Sequence, residues 1–211
     1  MLRTNPGFTA FMEQYTAEKG ITLKVFAPGA RMIRQGDTIS QAYIIHEGIA
    51  KCYISEDNGK DYIFEFLGKG EVTGDLEAIR KDKCLCNVEA ITAVTAYSIP
   101  HPLFMELVQH NPVFNALLLE ELAIRIQQTC RRVSYQQLYP VEYALLRLLA
   151  LGADQHISLP KKDMAAYLGI SLRSFNRTVK ELREKDILDK EELNIGLNRK
   201  QLMEILRRFE E

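Results

Sequence analysis

The sequence predicts an α+β chain: a small β-sandwich or jelly roll (a double-stranded β-helix), then a long helix, then a winged helix-turn-helix. Three observations carry that expectation. Short apolar and aromatic runs separated by glycine-bearing turns fill the stretch from Val25 to Pro100. From Pro112 the apolar residues recur at helical spacing. Between Lys161 and Lys185, two short helical patterns meet at Gly169.

The strand runs are Tyr43-Ile44-Ile45, Lys51-Cys52-Tyr53-Ile54, Tyr62-Ile63-Phe64-Glu65-Phe66 and Asn87-Val88-Glu89-Ala90-Ile91. β-Branched and aromatic side chains fit a pleated, half-buried surface, which is why these runs read as strands. Asn58-Gly59 lies between two of them and predicts a hairpin with a type I′ turn, whose two central residues both need positive φ.

In the long helix, Leu119, Leu122, Ile126, Cys130 and Val133 form one apolar stripe, and the pattern ends near Leu138, before Pro140. Charged residues, among them Glu120, Glu121, Arg125, Arg131 and Arg132, surround the stripe. Two readings stand open: a helix packed on its own domain, or a coiled-coil seam joining two chains.

After Pro140, Tyr143, Leu145, Leu146, Leu148 and Leu149 predict a buried helix closed by Gly152-Ala153-Asp154. Lys161 to Leu168 and Ser171 to about Lys185 then form the helix-turn-helix, with Ser171 as N-cap of the second helix. In that helix Phe175, Val179 and Leu182 share one face, and Arg173, Arg177 and Lys180 share the other. The apolar face is expected to dock through Met164, Leu168 and Ile170. Seven basic residues stand against three acidic ones from Lys161 to Lys185, in a chain whose net charge is only -1. A solvated amphipathic helix would explain any one such face. The turn, the local charge and the wing-like tail (Ile187-Leu188, then Leu193-Asn194-Ile195) point instead to a recognition helix, whose first turns reach base edges in the major groove.

Composition narrows the class. With 46% apolar and 26% charged residues the chain reads as soluble. No apolar run approaches the ~20 residues that cross a bilayer, and the N-terminus lacks a signal-peptide core, so a cytoplasmic location with no membrane partner is expected. Four cysteines in a chain this long make no secreted disulfide framework. There is no nucleophile–base motif, no HExxH, no P-loop and no dinucleotide fingerprint, so no enzyme is expected.

"AYIIHEGIAKCYISEDNGKDYIFEFLGKGEVTGDL" (42–76), "AIRIQQTCRRV" (123–133) and the helix-turn-helix spacing occur in this order. In this the chain resembles the CRP/FNR (cyclic-AMP receptor protein/FNR) family of bacterial transcription regulators. The resemblance implies a cyclic-nucleotide-binding-like β-roll sensor over residues 1–110, a dimerisation helix over 111–138 and a winged helix-turn-helix over 139–211. It implies DNA contacts from Ser171, Leu172, Arg173, Ser174, Asn176, Arg177, Lys180, Lys161 and Lys162, with relatives often carrying arginine at the position of Leu172. It also implies a homodimer through Leu119, Leu122, Ile126, Cys130 and Val133, double-stranded DNA with a near-palindromic operator as partner, and RNA polymerase as an open one.

The same resemblance places an effector pocket at Glu71, Gly74, Asp75, Cys84, Leu85, Thr129 and Cys130. Cyclic-nucleotide binders of the family carry Arg-Ser where this chain has Cys84-Leu85, in "RKDKCLCNVEA". A buried phosphate needs a cationic fork, which a thiol and a leucine do not supply. Arg80, Lys81 and Lys83 are expected in solvent. Cyclic AMP is therefore not expected as cofactor, and an unidentified small-molecule effector, or none, is left open. No cysteine precedes Cys52, which excludes the iron–sulfur arrangement of FNR-type members. Two alternatives remain: a thiol-redox or haem sensor using Cys84 and Cys86, placed at i and i+2 on one strand face, and a regulatory module acting on a protein partner. The four histidines show no metal-ligand spacing, and no metal is expected.

Overall fold

The computed structural model describes residues 4–15, 20–154, 159–191, 193 and 199–209. The chain forms two compact units, Met1–Gln127 and Gln128–Glu211, and the division falls inside its longest helix. The first unit runs α1 (Pro6–Tyr15), β1 (Thr22–Phe26), β2 (Arg31–Ile33), β3 (Gln41–Glu47), β4 (Ala50–Ser55), β5 (Asp61–Leu67), β6 (Val72–Thr73), α2 (Asp75–Arg80), β7 (Asn87–Ala90), β8 (Val94–Pro100), α3 (His101–His110) and the start of α4 (Pro112–Leu138). Its strands make two antiparallel sheets, ordered β1-β8-β3-β6 and β2-β7-β4-β5.

The apolar run in β3 follows from burial on both faces. Ala42 and Ile44 enter a cluster with Phe8, Phe104, Leu107, Phe114 and Leu118 from α1, α3 and α4. Tyr43 and Ile45, one step out of phase, enter a second cluster with Val88, Ala90, Val94 and Ala96. Side chains alternate across a strand, so a strand covered on both faces loses the apolar/polar alternation of a half-exposed one. Phe114 on α4 binds the helices together, 5.4 Å from Phe8 and 5.3 Å from Phe104 between ring centroids.

Asn58-Gly59 does join β4 to β5, but the type I′ expectation fails. Ser55 pairs with Asp61, leaving a five-residue loop, 56–60. Within it the Gly59 N–H donates to Glu56 O and the Glu56 N–H to Lys60 O, both at 2.9 Å. Only Gly59 takes positive φ, at 73°. The longer loop needs one left-handed residue where the two-residue turn needs two.

The second unit holds the rest of α4, α5 (Val141–Asp154), α6 (Lys161–Leu168), α7 (Leu172–Glu184) and α8 (Arg199–Arg208). Helix α5 ends on Gly152-Ala153-Asp154, the residues expected to close it. One glycine inside a helix costs about 1 kcal/mol against alanine, less than packing the flanking apolar face returns. Gly169 ends α6 in the left-handed conformation (φ 70°), its N–H donating to the carbonyls of Ala165 and Ala166, and so makes the tight turn. The Arg132 guanidinium lies 4.5 Å from the Tyr167 ring, and Gln136 Nε2 donates to the Tyr167 carbonyl at 3.0 Å. The end of α4 therefore seats α6. Of the expected wing, Asn194 and Ile195 lie outside the described residues. No described helix is long and apolar enough to cross a membrane.

Candidate functional site

Helix α7 is built by its two faces. Phe175, Val179 and Leu182 are 0%, 5% and 1% exposed, against Met164 and Leu168 at 4% and 8%. Burying three such side chains stabilises by several kcal/mol, roughly 1.5–3 each, and this fixes which way the polar face turns. Ser171 caps the helix, its Oγ accepting from the Ser174 N–H at 3.1 Å. Leu172, Arg173, Asn176, Arg177 and Lys180 are exposed, as are Lys161 and Lys162 at the start of α6. Arg177 and Lys180 meet Glu181 and Glu184 at 3.7 Å, in i,i+4 pairs. Pairs this exposed are worth only about 0.3–0.5 kcal/mol, so both cations exchange readily onto another anion.

Three polar side chains of the helix and its cap bond within the unit. Arg183 donates through Nε to Asp189 O at 2.8 Å and through a terminal nitrogen to Glu191 O at 3.1 Å, clamping the chain after the helix. Ser171 and Ser174 bond each other hydroxyl to hydroxyl at 3.1 Å, and Ser174 is half-buried. Asp163 is buried, which removes one of the three acids from the surface.

The residues expected at the effector pocket have different surroundings. Glu71, Gly74 and Asp75 are buried together at the β6–α2 junction. Cys84 instead belongs to the apolar cluster between the sheets, and Leu85 is 58% exposed. Thr129 and Cys130 are exposed residues of the second unit. Arg80, Lys81 and Lys83 are exposed.

The organising residue at the junction is Arg125, one of the charged residues that surround the apolar stripe of the long helix. It is half-buried, 3.0 Å from Asp75, 3.2 Å from Glu121 and 3.9 Å from Glu65, and it also donates to the Val72 carbonyl. Glu121 is fully buried and accepts from Asn5 Nδ2 at 2.8 Å, while Glu71 accepts from the Gly68 N–H at 2.7 Å. Burial works against the charge on Arg125, but Asp75, Glu65, Glu121 and Glu71 hold its pKa above the ordinary value. Burial pushes the Asp75 carboxyl up, and Glu65 adds to this, so the two outweigh the attraction of Arg125. One cation among four carboxylates leaves the junction rich in negative charge, a poor host for a phosphate.

The cysteine expectation also needs correction. Strand β7 begins at Asn87, so Cys84 and Cys86 lie in the approach to it and not at i and i+2 within a strand. The neighbour of Cys86 is Cys52 of β4. A hydrogen bond between these thiols, and burial after it, raise the Cys52 pKa well above its ordinary value. Burial, then Glu77 and Asp37, push the Cys84 thiol up to about 11. Thiols held neutral are poor nucleophiles and poor metal ligands. Among the described residues no three His, Cys, Asp or Glu side chains are grouped to hold a metal ion.

Along α4, Leu119, Ile126 and Val133 are 61%, 66% and 49% exposed, and Cys130 is exposed. Leu122 differs from them. It is half-buried and packs against the first unit's own core beside Leu118. Ala116 and Ala123, both exposed, complete a stripe with three- and four-residue spacing from 116 to 133.

Comparison with known proteins matches this arrangement. Residues 23–111 fit the cyclic nucleotide-binding domain family, and residues 142–210 fit the Crp-like helix-turn-helix domain family. The cAMP-activated global transcriptional regulator CRP of Salmonella typhimurium is 24% identical over 168 residues, spanning 74% of this chain and 80% of that protein. The HTH-type transcriptional regulator Cmr of Mycobacterium tuberculosis is 25% identical over 169 residues, spanning 80% of this chain and 68% of Cmr. The solved structure of the c-di-GMP responsive global regulator CLP of Xanthomonas campestris has the same fold, with a TM-score of 0.77 at 19% identity over 92% of this chain and 99% of that one. With both domains in this order on one chain, and its relatives transcription regulators, the chain belongs to the CRP/FNR family of DNA-binding transcription regulators.

Proposed function

We propose that this chain acts in the cytoplasm as a homodimeric regulator that reads a near-palindromic operator and does not depend on cyclic AMP. The observation that carries the reading is α7, seated by Phe175, Val179 and Leu182 with Arg173, Asn176, Arg177 and Lys180 turned outward. Arg177 is the base-reading fork, suited to bidentate pairing with guanine. Lys161, Lys162 and Lys180 contact phosphates, which position the protein without reading sequence. The exposed stripe from Ala116 to Val133 supplies the seam between two copies. A two-fold dimer places its recognition helices about 34 Å apart, one helical turn of DNA.

Independence from cyclic AMP rests on charge. Asp75 is engaged by Arg125, Cys84 is held in an apolar cluster and Leu85 faces outward, so no cation faces an incoming phosphate at these positions. Selection of binding sites from random DNA, with and without cyclic AMP, tests the reading. The wild type should enrich one inverted repeat in either condition. Arg177→Ala should lose discrimination at one position of each half-site, while Lys180→Ala weakens binding evenly. Enrichment that requires cyclic AMP, or a consensus altered by Lys180→Ala and untouched by Arg177→Ala, contradicts it.

A further inference from the structure

The first turn of α7 presents few free side chains. Ser171 is committed to capping and Ser174 to Ser171, and Thr178 Oγ1 donates to the Ser174 carbonyl at 3.1 Å. Leu172, 47% exposed, and the exposed Arg173 and Asn176 remain. Among the described residues, neither Arg173 nor Asn176 has a side-chain partner. Leu172 and Asn176 are four residues apart, so they are neighbours on the helix surface, with Cβ atoms about 5–6 Å apart.

An apolar tip surrounded by Arg173, Arg177 and Lys180 sits against a polyanion once the helix is docked. In the major groove the thymine 5-methyl is the apolar group offered by the bases; guanine and adenine edges present hydrogen-bonding atoms that leucine would leave unmatched. The adenine of the same pair presents N6 and N7 beside that methyl, the edge a carboxamide pairs with bidentately. Successive bases on a strand are about 3.4 Å apart, so two side chains at this separation reach one base pair or its immediate neighbour.

Resting on the reading of α7 as the DNA-reading helix, we propose that Leu172 contacts the 5-methyl group of a thymine while Asn176 pairs with an adenine of the same or the adjacent base pair. The first turn thereby selects A·T, and Arg177, further along the helix, selects guanine.

The test uses the full-length protein and the operator selected from random DNA. Each thymine of one half-site is replaced in turn by uracil, which removes the methyl and nothing else, and affinity is read by fluorescence anisotropy. One replacement should weaken wild-type binding about fourfold, the worth of burying one methyl group. Leu172→Ala should bind the thymine and uracil operators equally, and Asn176→Ala should relax the adenine preference at that pair or its neighbour. The assignment is overturned if the wild type is indifferent to every replacement, or if Leu172→Ala stays as sensitive as the wild type. A protein that enriches no sequence overturns the DNA-reading function itself, and so the two failures are told apart.

Discussion

Replacing Ile126 by alanine removes a side chain that is 66% exposed on the single chain yet lies midway along the apolar stripe of α4. Fully burying an isoleucine side chain stabilises by about 1.5–3 kcal/mol, so covering two-thirds of one is worth about 1–2 kcal/mol. A two-fold seam contains the residue twice. Ile126→Ala should therefore weaken the dimer by about 2–4 kcal/mol, raising its dissociation constant roughly 30- to 1,000-fold. Leu122→Ala is the control that the structure supplies. Leu122 packs on the first unit's core, and its truncation should lower that unit's unfolding free energy by about 2 kcal/mol or more with little change in association. Analytical ultracentrifugation across a micromolar-to-nanomolar dilution series measures the first effect, and urea denaturation the second. A wild type that is monomeric at micromolar concentration refutes the seam. A Leu122→Ala variant that dissociates while Ile126→Ala remains dimeric refutes the assignment of faces.

Arg125→Leu should destabilise the first unit by about 3–5 kcal/mol in chemical denaturation, because it removes the cation that the buried Asp75 and Glu121 carboxylates face. That deficit should shrink as pH falls. The Asp75 carboxyl is pushed above its ordinary 3.8 in the folded chain, so its stabilising contribution is present at low pH and lost as pH rises through the folded value. The Cys84 thiol, raised from 9.0 to about 11, contributes stability below about pH 9 that is lost as pH climbs toward 11. Alkylation of Cys84 mapped by mass spectrometry should track the same window, with exposed Cys130 modified first; equal labelling at neutral pH would contradict the burial. Ser171→Ala should cost about 1 kcal/mol through loss of the α7 cap, with Ser171→Asp restoring most of it; thermal unfolding measures both.

The sequence by itself determined the elements whose signal is local. The strands β3, β4 and β5, the length of α4 and the helix–turn–helix spacing are all legible because amphipathic period and turn chemistry act over a few residues. The face of α7 was legible too, since Phe175, Val179 and Leu182 on one side leave one orientation for the arginines. Only the tertiary structure decided what depends on distant partners. A stripe at three-and-four spacing marks α4 as amphipathic, but Leu118 and Leu122 turn inward while Leu119 and Ile126 turn outward, and nothing local separates them. Arg125 reads as one of the charges around the apolar stripe until β5, the β6–α2 junction and Glu121 close carboxylates around it. Cys86 finds Cys52 rather than Cys84 because β4 and β7 lie side by side in a sheet. Ser171 and Ser174 look like readers until the cap claims them, which leaves Leu172 and Asn176 at the front of the helix. Helical period records which residues share a side of one element; what covers that side is set by contacts between residues far apart in the chain, and these exist only once the chain has folded.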